Sequence, residues 1–129
     1  MDFFVPESDT RFGIADDWWH FCDMETWSPR SPYFPYDPEI TGSVTIVALS
    51  EIEPPKRAKG VPMFRKYKLV PVLLAFQSPE CALPPVELLQ LDDRGPKRYA
   101  LQNGFHRFYA SVAAGYSKIP AVIFAKGIE

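Results

Sequence analysis

The chain has 129 residues, of which 47% are hydrophobic and 15% aromatic, a length and apolar content that fit one domain with a modest core and exclude a wholly disordered chain. Its 14 prolines exclude a long-helix bundle or coiled coil. The net charge of −2 hides a split: residues 1–53 carry two Arg against eleven acids (−9), and residues 54–129 carry twelve Lys and Arg against five acids (+7), so the whole chain is not a single-sign nucleic-acid binder, while its second part can attract phosphate.

The N-terminus begins Asp2-Phe3-Phe4 with no basic residue before Arg11, which does not fit a secretory signal. The longest apolar run, Leu69 to Phe76, is far short of the roughly 18 residues of a membrane span. Cys22 and Cys81 are isolated, without framework spacing, and read as reduced thiols. Together these features predict a cytoplasmic protein with no membrane partner.

Residues 1–42 form an acidic, aromatic extension, set apart from a domain over 43–129. Pro29, Pro32, Pro35 and Pro38 recur every third residue and favour an extended or polyproline-II course. Ala15 to Met24 predicts a short helix, with Asp16 and Asp17 suiting its positive end. So many aromatic side chains are costly in water, which predicts packing on the core or on a protein partner.

From Val44 the pattern tightens. Val44–Leu49 reads as a β-branched strand, followed by a basic loop that ends near Pro62. Phe64–Phe76 has helical apolar spacing, with Pro71 predicting either a start near Leu69 or a kink. Val86–Leu91 and Arg98–Leu101 read as strands joined by the turn Asp92-Asp93-Arg94-Gly95-Pro96. Asn103-Gly104 opens a helix to Ala114, Gly115 stops it, and Ile119–Phe124 is a last strand. The sum is a small α+β domain with a mixed sheet and two main helices.

The stretch with chemistry is Asn103-Gly104-Phe105-His106-Arg107. A strand runs into a Gly turn and a helix starts at once, so free N–H groups with the helix dipole behind them make an anion site. Gly104 allows close approach of backbone to ligand, Arg107 can grip phosphate oxygens, and His106 can donate a hydrogen bond or relay a proton. The bland alternative is a solvated Arg107 and a core or capping His106. Positive side chains at a helix N-terminus oppose the dipole, which weakens that alternative. Arg57, Lys59, Arg65, Lys66 and Lys68 form a basic cluster that reads as a solvated face or, with Arg107, as an electropositive pocket.

The Gly104-Phe105-His106-Arg107 turn, the helix after it, Gly115 and Ile119-Pro120-Ala121 resemble the signature of the ParB/sulfiredoxin superfamily. Leu83-Pro84-Pro85-Val86-Glu87 resembles the Pro-Pro segment that leads into the preceding strand, and the likeness extends over about residues 44–125. It implies a ParB-like, sulfiredoxin-like fold and a nucleotide, ATP or CTP with Mg²⁺, held at Gly104, Phe105, His106 and Arg107, with Arg57 and Lys68 completing the pocket. No protein-ligated metal is implied. Sulfiredoxins place their catalytic cysteine where this chain has Phe105, so reduction of a sulfinic acid is not supported. Two hydroxyl residues of the family's second helix appear here as Pro71 and Ala75. Glu51 and Glu53 lie where a family kinase acting on free serine keeps a catalytic carboxylate; the bland reading is two solvated acids before a turn.

Three function classes follow. The first is a nucleotide- or phosphate-binding domain, with NTP hydrolysis or phosphoryl transfer if it is an enzyme and with His106, Glu51 and Glu53 as catalytic candidates. The second is a non-catalytic interaction module that has lost the family chemistry, its working surface the N-terminal aromatics. The third is a ParB-like DNA-binding protein or nuclease, for which Asp92-Asp93 would have to act as a metal site rather than a turn. His20 and Cys22 have the composition of a metal site but not its paired spacing, and Tyr109, Val112 and Ala113 read as core. The charge split adds one expectation: the acidic extension lies over the basic pocket and shields it.

Overall fold

A computed structural model describes residues 1–37, 39, 42–78, 80, 82–92 and 95–125. Pro38, Cys81, Asp93 and Arg94, which figure in the sequence-based expectations, lie outside the described residues. The elements in chain order are β1 (Asp2–Phe4), β2 (Arg11–Gly13), α1 (Asp16–Phe21), β3 (Thr45–Ala48), β4 (Ile52–Glu53), α2 (Lys66–Phe76), β5 (Val86–Gln90), β6 (Tyr99–Asn103), α3 (Phe105–Ala114) and β7 (Lys118–Phe124). Short 3₁₀ turns cover Met24–Thr26 and Leu49–Glu51.

Five strands make one mixed sheet in the order β3-β7-β5-β6-β4. β7 runs antiparallel to β3 and parallel to β5, β5 is antiparallel to β6, and the two-residue β4 lies parallel to β6. The α+β class with a mixed sheet is thus the observed one. Val86, Leu88, Ile119 and Ala121 are fully buried on the two central strands. They share one hydrophobic core with Phe108, Tyr109 and Ala110 of α3 and Leu69 and Leu73 of α2.

Of the two sequence alternatives for the second helix, a start near Leu69 is not the one observed. The helix starts at Lys66 and runs through Pro71 as one element. Pro71 cannot donate to the carbonyl four residues back, a local cost of about 3 kcal/mol in a helix interior. Burial of Leu69, Val70, Val72, Leu73 and Phe76 around it outweighs that cost. α3 ends as its glycine predicts: Gly115 sits at φ 97°, and the Tyr116 N–H reaches back to the Ser111 carbonyl.

Residues 1–37 belong to the same core. β1 and β2 pair as a small antiparallel hairpin whose Phe12 meets Tyr109 edge-on at 4.8 Å and Phe64 at 5.9 Å. Trp27 and Phe34 stack on Phe76 at 6.1 and 6.0 Å. Val5, Phe12, Ile14, Trp19, Cys22, Met24 and Phe34 are all buried. The Cys22 thiol faces the Val70 carbonyl, and burial raises its pKa. No described helix is long and apolar enough to cross a membrane.

Candidate functional site

β6 delivers the chain to Gly104, whose φ of 112° turns it directly into α3. A β-carbon at Gly104 would lie 2.6 Å from Cγ1 of the buried Val86, so glycine is required here by conformation and by space. The Phe108 N–H donates to the Gly104 carbonyl at 2.8 Å, which closes the first turn. The N–H groups of Phe105, His106 and Arg107 have no intrahelical partner at that position and mark the positive end of the dipole.

A cleft of about 650 Å³ opens at this helix start. The basic loop contributes Lys56 and Arg57, α2 contributes Lys68 and Val72, and the rest of the wall runs from Leu101 to Arg107 with Leu83 and Pro84 opposite. Gly104, Phe105, His106, Arg107, Arg57 and Lys68, dispersed in sequence, therefore meet in one place. Among the described residues of the wall four side chains are cationic and none is acidic. Lys59, Arg65 and Lys66 of the basic cluster are not part of it. Lys56 is a wall residue that the sequence alone did not single out, although it adjoins Arg57 in the same loop.

Two of the expected ligand groups are already engaged within the protein. Nη1 of Arg107 donates to the carbonyls of Pro84 and Pro85 at 2.5 and 2.8 Å. Its guanidinium thus braces the Pro-Pro segment against the helix start; burial lowers its pKa and Glu87 raises it. The guanidinium carbon of Arg57 stands 3.8 Å from the centroid of the Phe105 ring, a cation–π contact, while Nε donates to the Met63 carbonyl at 3.4 Å.

His106 is buried, and its Nε2 accepts the Arg65 N–H at 3.1 Å. That bond assigns the remaining ring proton to Nδ1, the one donor left on the imidazole. Burial first, then the nearby Arg57, Lys68 and Arg65 cations, hold its pKa down to about 4, so the ring is neutral at pH 7. Tyr109 is core, as its spacing predicts, and its hydroxyl also donates to the Pro55 carbonyl at 2.6 Å, anchoring the loop that carries Lys56 and Arg57.

The two carboxylates do not join the cleft wall. Glu51 pairs with Arg98 at 3.9 Å, and Glu53 is exposed on β4. His20 is exposed and bound to Glu25 at 2.6 Å, whereas Cys22 is buried. Among the described residues no group of three His, Cys, Asp or Glu side chains is placed to hold a metal ion. Among the described residues no wall residue comes from positions 1–42, so the described part of the acidic extension does not cover the basic cleft; its aromatic side chains seat it on the core instead. A second cleft, of about 760 Å³, lies where that extension meets α2 and is walled by Trp27, Phe76 and Tyr116 with Arg30.

No protein-family model matches the sequence, and no curated protein matches it. Among solved structures the chain is similar to a C-terminally truncated chromosome-partitioning protein ParB from Caulobacter crescentus, complexed with CTP-gamma-S. The identity is 18% and the TM-score 0.49, over 67% of this chain and 46% of that one. The chain spans less than half the length of that structure.

Proposed function

We propose that the chain binds a phosphate-bearing ligand in the cleft at the start of α3. The observation that carries this reading is the convergence, in one cavity without an acidic wall residue among the described residues, of an unpaired helix N-terminus behind a positive-φ glycine with Lys56, Arg57, Lys68 and Arg107. In its finer form the ligand is a nucleotide such as ATP or CTP. That form rests on the resemblance of Gly104-Phe105-His106-Arg107 to the ParB/sulfiredoxin turn. Arg107 serves by holding the turn rigid against Pro84 and Pro85, which preorganises the α3 N–H groups for an anion. Lys56 and Lys68 supply the mobile charge. Neutral His106 offers Nδ1–H as a hydrogen-bond donor, not a second cation. A Mg²⁺ ion would arrive with the phosphates, since the described wall residues offer it no carboxylate.

Isothermal titration of ATP, CTP and inorganic tripolyphosphate into the protein, with and without Mg²⁺, tests the reading. Micromolar to millimolar binding that weakens with salt and about tenfold in Lys68→Ala is expected. If none of the three binds at millimolar concentration, the reading falls. Binding that is indifferent to Lys68→Ala moves the site elsewhere.

A further inference from the structure

Arg57 and Phe105 are both wall residues of the cleft, and they touch each other. At 3.8 Å from the ring centroid the guanidinium lies on the face of the ring, and its Nε donates to the Met63 carbonyl at 3.4 Å. One face and one donor of the group are thereby fixed. The four N–H bonds on its two Nη atoms lie in the guanidinium plane, and among the described residues they meet no acceptor. The ring has a seat of its own: Phe105 stands 5.0 Å from Tyr109 and 6.1 Å from Phe64. Tyr109 in turn holds the loop by Pro55, two residues before Arg57. Ring and guanidinium are therefore positioned by one set of neighbours, and the pair is a built feature of the cleft.

We infer that Phe105 is a positioning residue of the cleft: its ring is the platform that sets the plane of Arg57 and so presents the Nη fork to a phosphate group. The inference rests on the phosphate reading above. An arginine grips phosphate through N–H donors aimed in its own plane at oxygen, with two aligned bonds in the best geometry. Stacking occupies the flat face and leaves that edge open, so ring and anion can be held at the same time. A side chain that is free in solvent loses its rotamer freedom when it binds, which weakens affinity about two- to twelvefold. Arg57, lying on the ring and bonded at Nε, has lost much of that freedom before the anion arrives. With the ring in place Arg57 is the fixed cation of the site, beside the mobile Lys56 and Lys68. Without the ring it becomes a third mobile one, and the site weakens.

Inorganic tripolyphosphate in Mg²⁺-free, low-salt buffer is the probe, titrated calorimetrically into the wild type, Phe105→Leu, Phe105→Tyr, Arg57→Gln and the double variant Phe105→Leu, Arg57→Gln. Leucine keeps apolar packing on Phe64 and Tyr109 but removes the flat face, and tyrosine restores the face. Phe105→Met replaces Phe105→Leu if leucine perturbs the near-UV circular dichroism. The expected result is binding about two- to twelvefold weaker in Phe105→Leu and within about twofold of wild type in Phe105→Tyr. The loss is expected to vanish in the Arg57→Gln background. If Arg57→Gln binds too weakly to measure, the contrast between tyrosine and leucine decides. Binding in Phe105→Leu equal to or tighter than wild type, Phe105→Tyr as weak as Phe105→Leu, or a loss that persists without Arg57 overturns the inference and leaves the phosphate reading standing. No binding by any of the five chains overturns both. One ligand-free readout is independent of this: the Arg57 side-chain proton resonances, shifted by the ring current in the wild type, are expected to move toward ordinary arginine values in Phe105→Leu and to stay shifted in Phe105→Tyr. Resonances unchanged by leucine overturn the platform.

Discussion

The backbone N–H of Arg65 donates to Nε2 of His106 across 41 residues of sequence, which ties the start of α2 to the first turn of α3. The bond requires an unprotonated Nε2, so the junction of the two helices is sensitive to pH. The folded pKa of about 4 lies below the ordinary 6.5. Between those values the unfolded chain takes up a proton that the folded chain refuses. Stability is therefore full above about pH 6.5, falls as the pH drops toward about 4, and levels off below that as far as this group is concerned, at a total loss on the order of 3 kcal/mol. Urea midpoints measured from pH 8 to pH 4 should show this slope in the wild type and a flatter one in His106→Gln, whose amide oxygen can accept the same N–H. An equal slope in both would assign it to other groups.

Gly104→Ala is expected to cost at least about 2 kcal/mol, because it adds strain at positive φ to overlap with Val86. The pair Gly104→Ala, Val86→Ala separates the two terms. The second substitution relieves the overlap and leaves the dihedral strain. Chemical denaturation of both variants against Val86→Ala alone measures each part, and a Gly104→Ala midpoint equal to wild type would refute the steric account.

Arg107→Ala leaves the carbonyls of Pro84 and Pro85 without their donor, at a cost of about 1–3 kcal/mol. Arg107→Lys should recover part of that loss, because an ammonium can still reach one carbonyl. Stability must be measured beside any binding assay on these variants. A wild-type urea midpoint in Arg107→Ala would show that the guanidinium does not brace the turn.

Deleting residues 1–42 should abolish cooperative unfolding. The segment buries Phe12, Ile14, Trp19, Met24 and Phe34, and each such side chain is worth about 1.5–3 kcal/mol of burial. Their sum is comparable to the roughly 5–15 kcal/mol that a domain of this kind has in total. A sharp thermal transition with native near-UV circular dichroism in the truncated chain would contradict the shared core.

Most strands and helices from residue 45 onward are legible in the sequence because each carries its own local signal; the two-residue β4, Ile52–Glu53, reads as part of the turn before the basic loop because its pairing with β6 is set by tertiary contact. Gly104 and Gly115 frame the α3 pattern, and β-branched residues mark β3 and β7. The β1–β2 hairpin is not legible: its strands have three residues each, and its connection places Glu7 at φ 56° without an Asn-Gly or Asp-Gly signal. The start of α2 at Lys66 and not near Leu69 is not legible locally, because the burial that carries the helix through Pro71 is tertiary. At the cleft the sequence names most of the cations that converge. It does not show that Arg107 is spent on two prolyl carbonyls or that Arg57 is seated on an aromatic ring, since both partners are distant in the chain or set by loop geometry. The expectation that the acidic segment covers the basic one fails for a related reason: net charge acts over long distances and weakly, while Phe12, Trp27 and Phe34 choose their seats by contact.

The position of β7 has a kinetic consequence. In the order β3-β7-β5-β6-β4 it is the sole link between β3 and the remaining strands, and it follows β3 by about 70 residues. Thr45 pairs with Ala121, so the loop closed by that ladder is longer than half the chain. Its closure entropy must be met before the β3–β7 ladder rewards it, which makes the docking of β3 a slow step for a domain of this size. During synthesis β5 and β6 can pair as soon as both have left the ribosome. β3 must wait with both of its edges open until residues 118–124 emerge, and in that interval the nascent chain is most exposed to aggregation or capture by a chaperone.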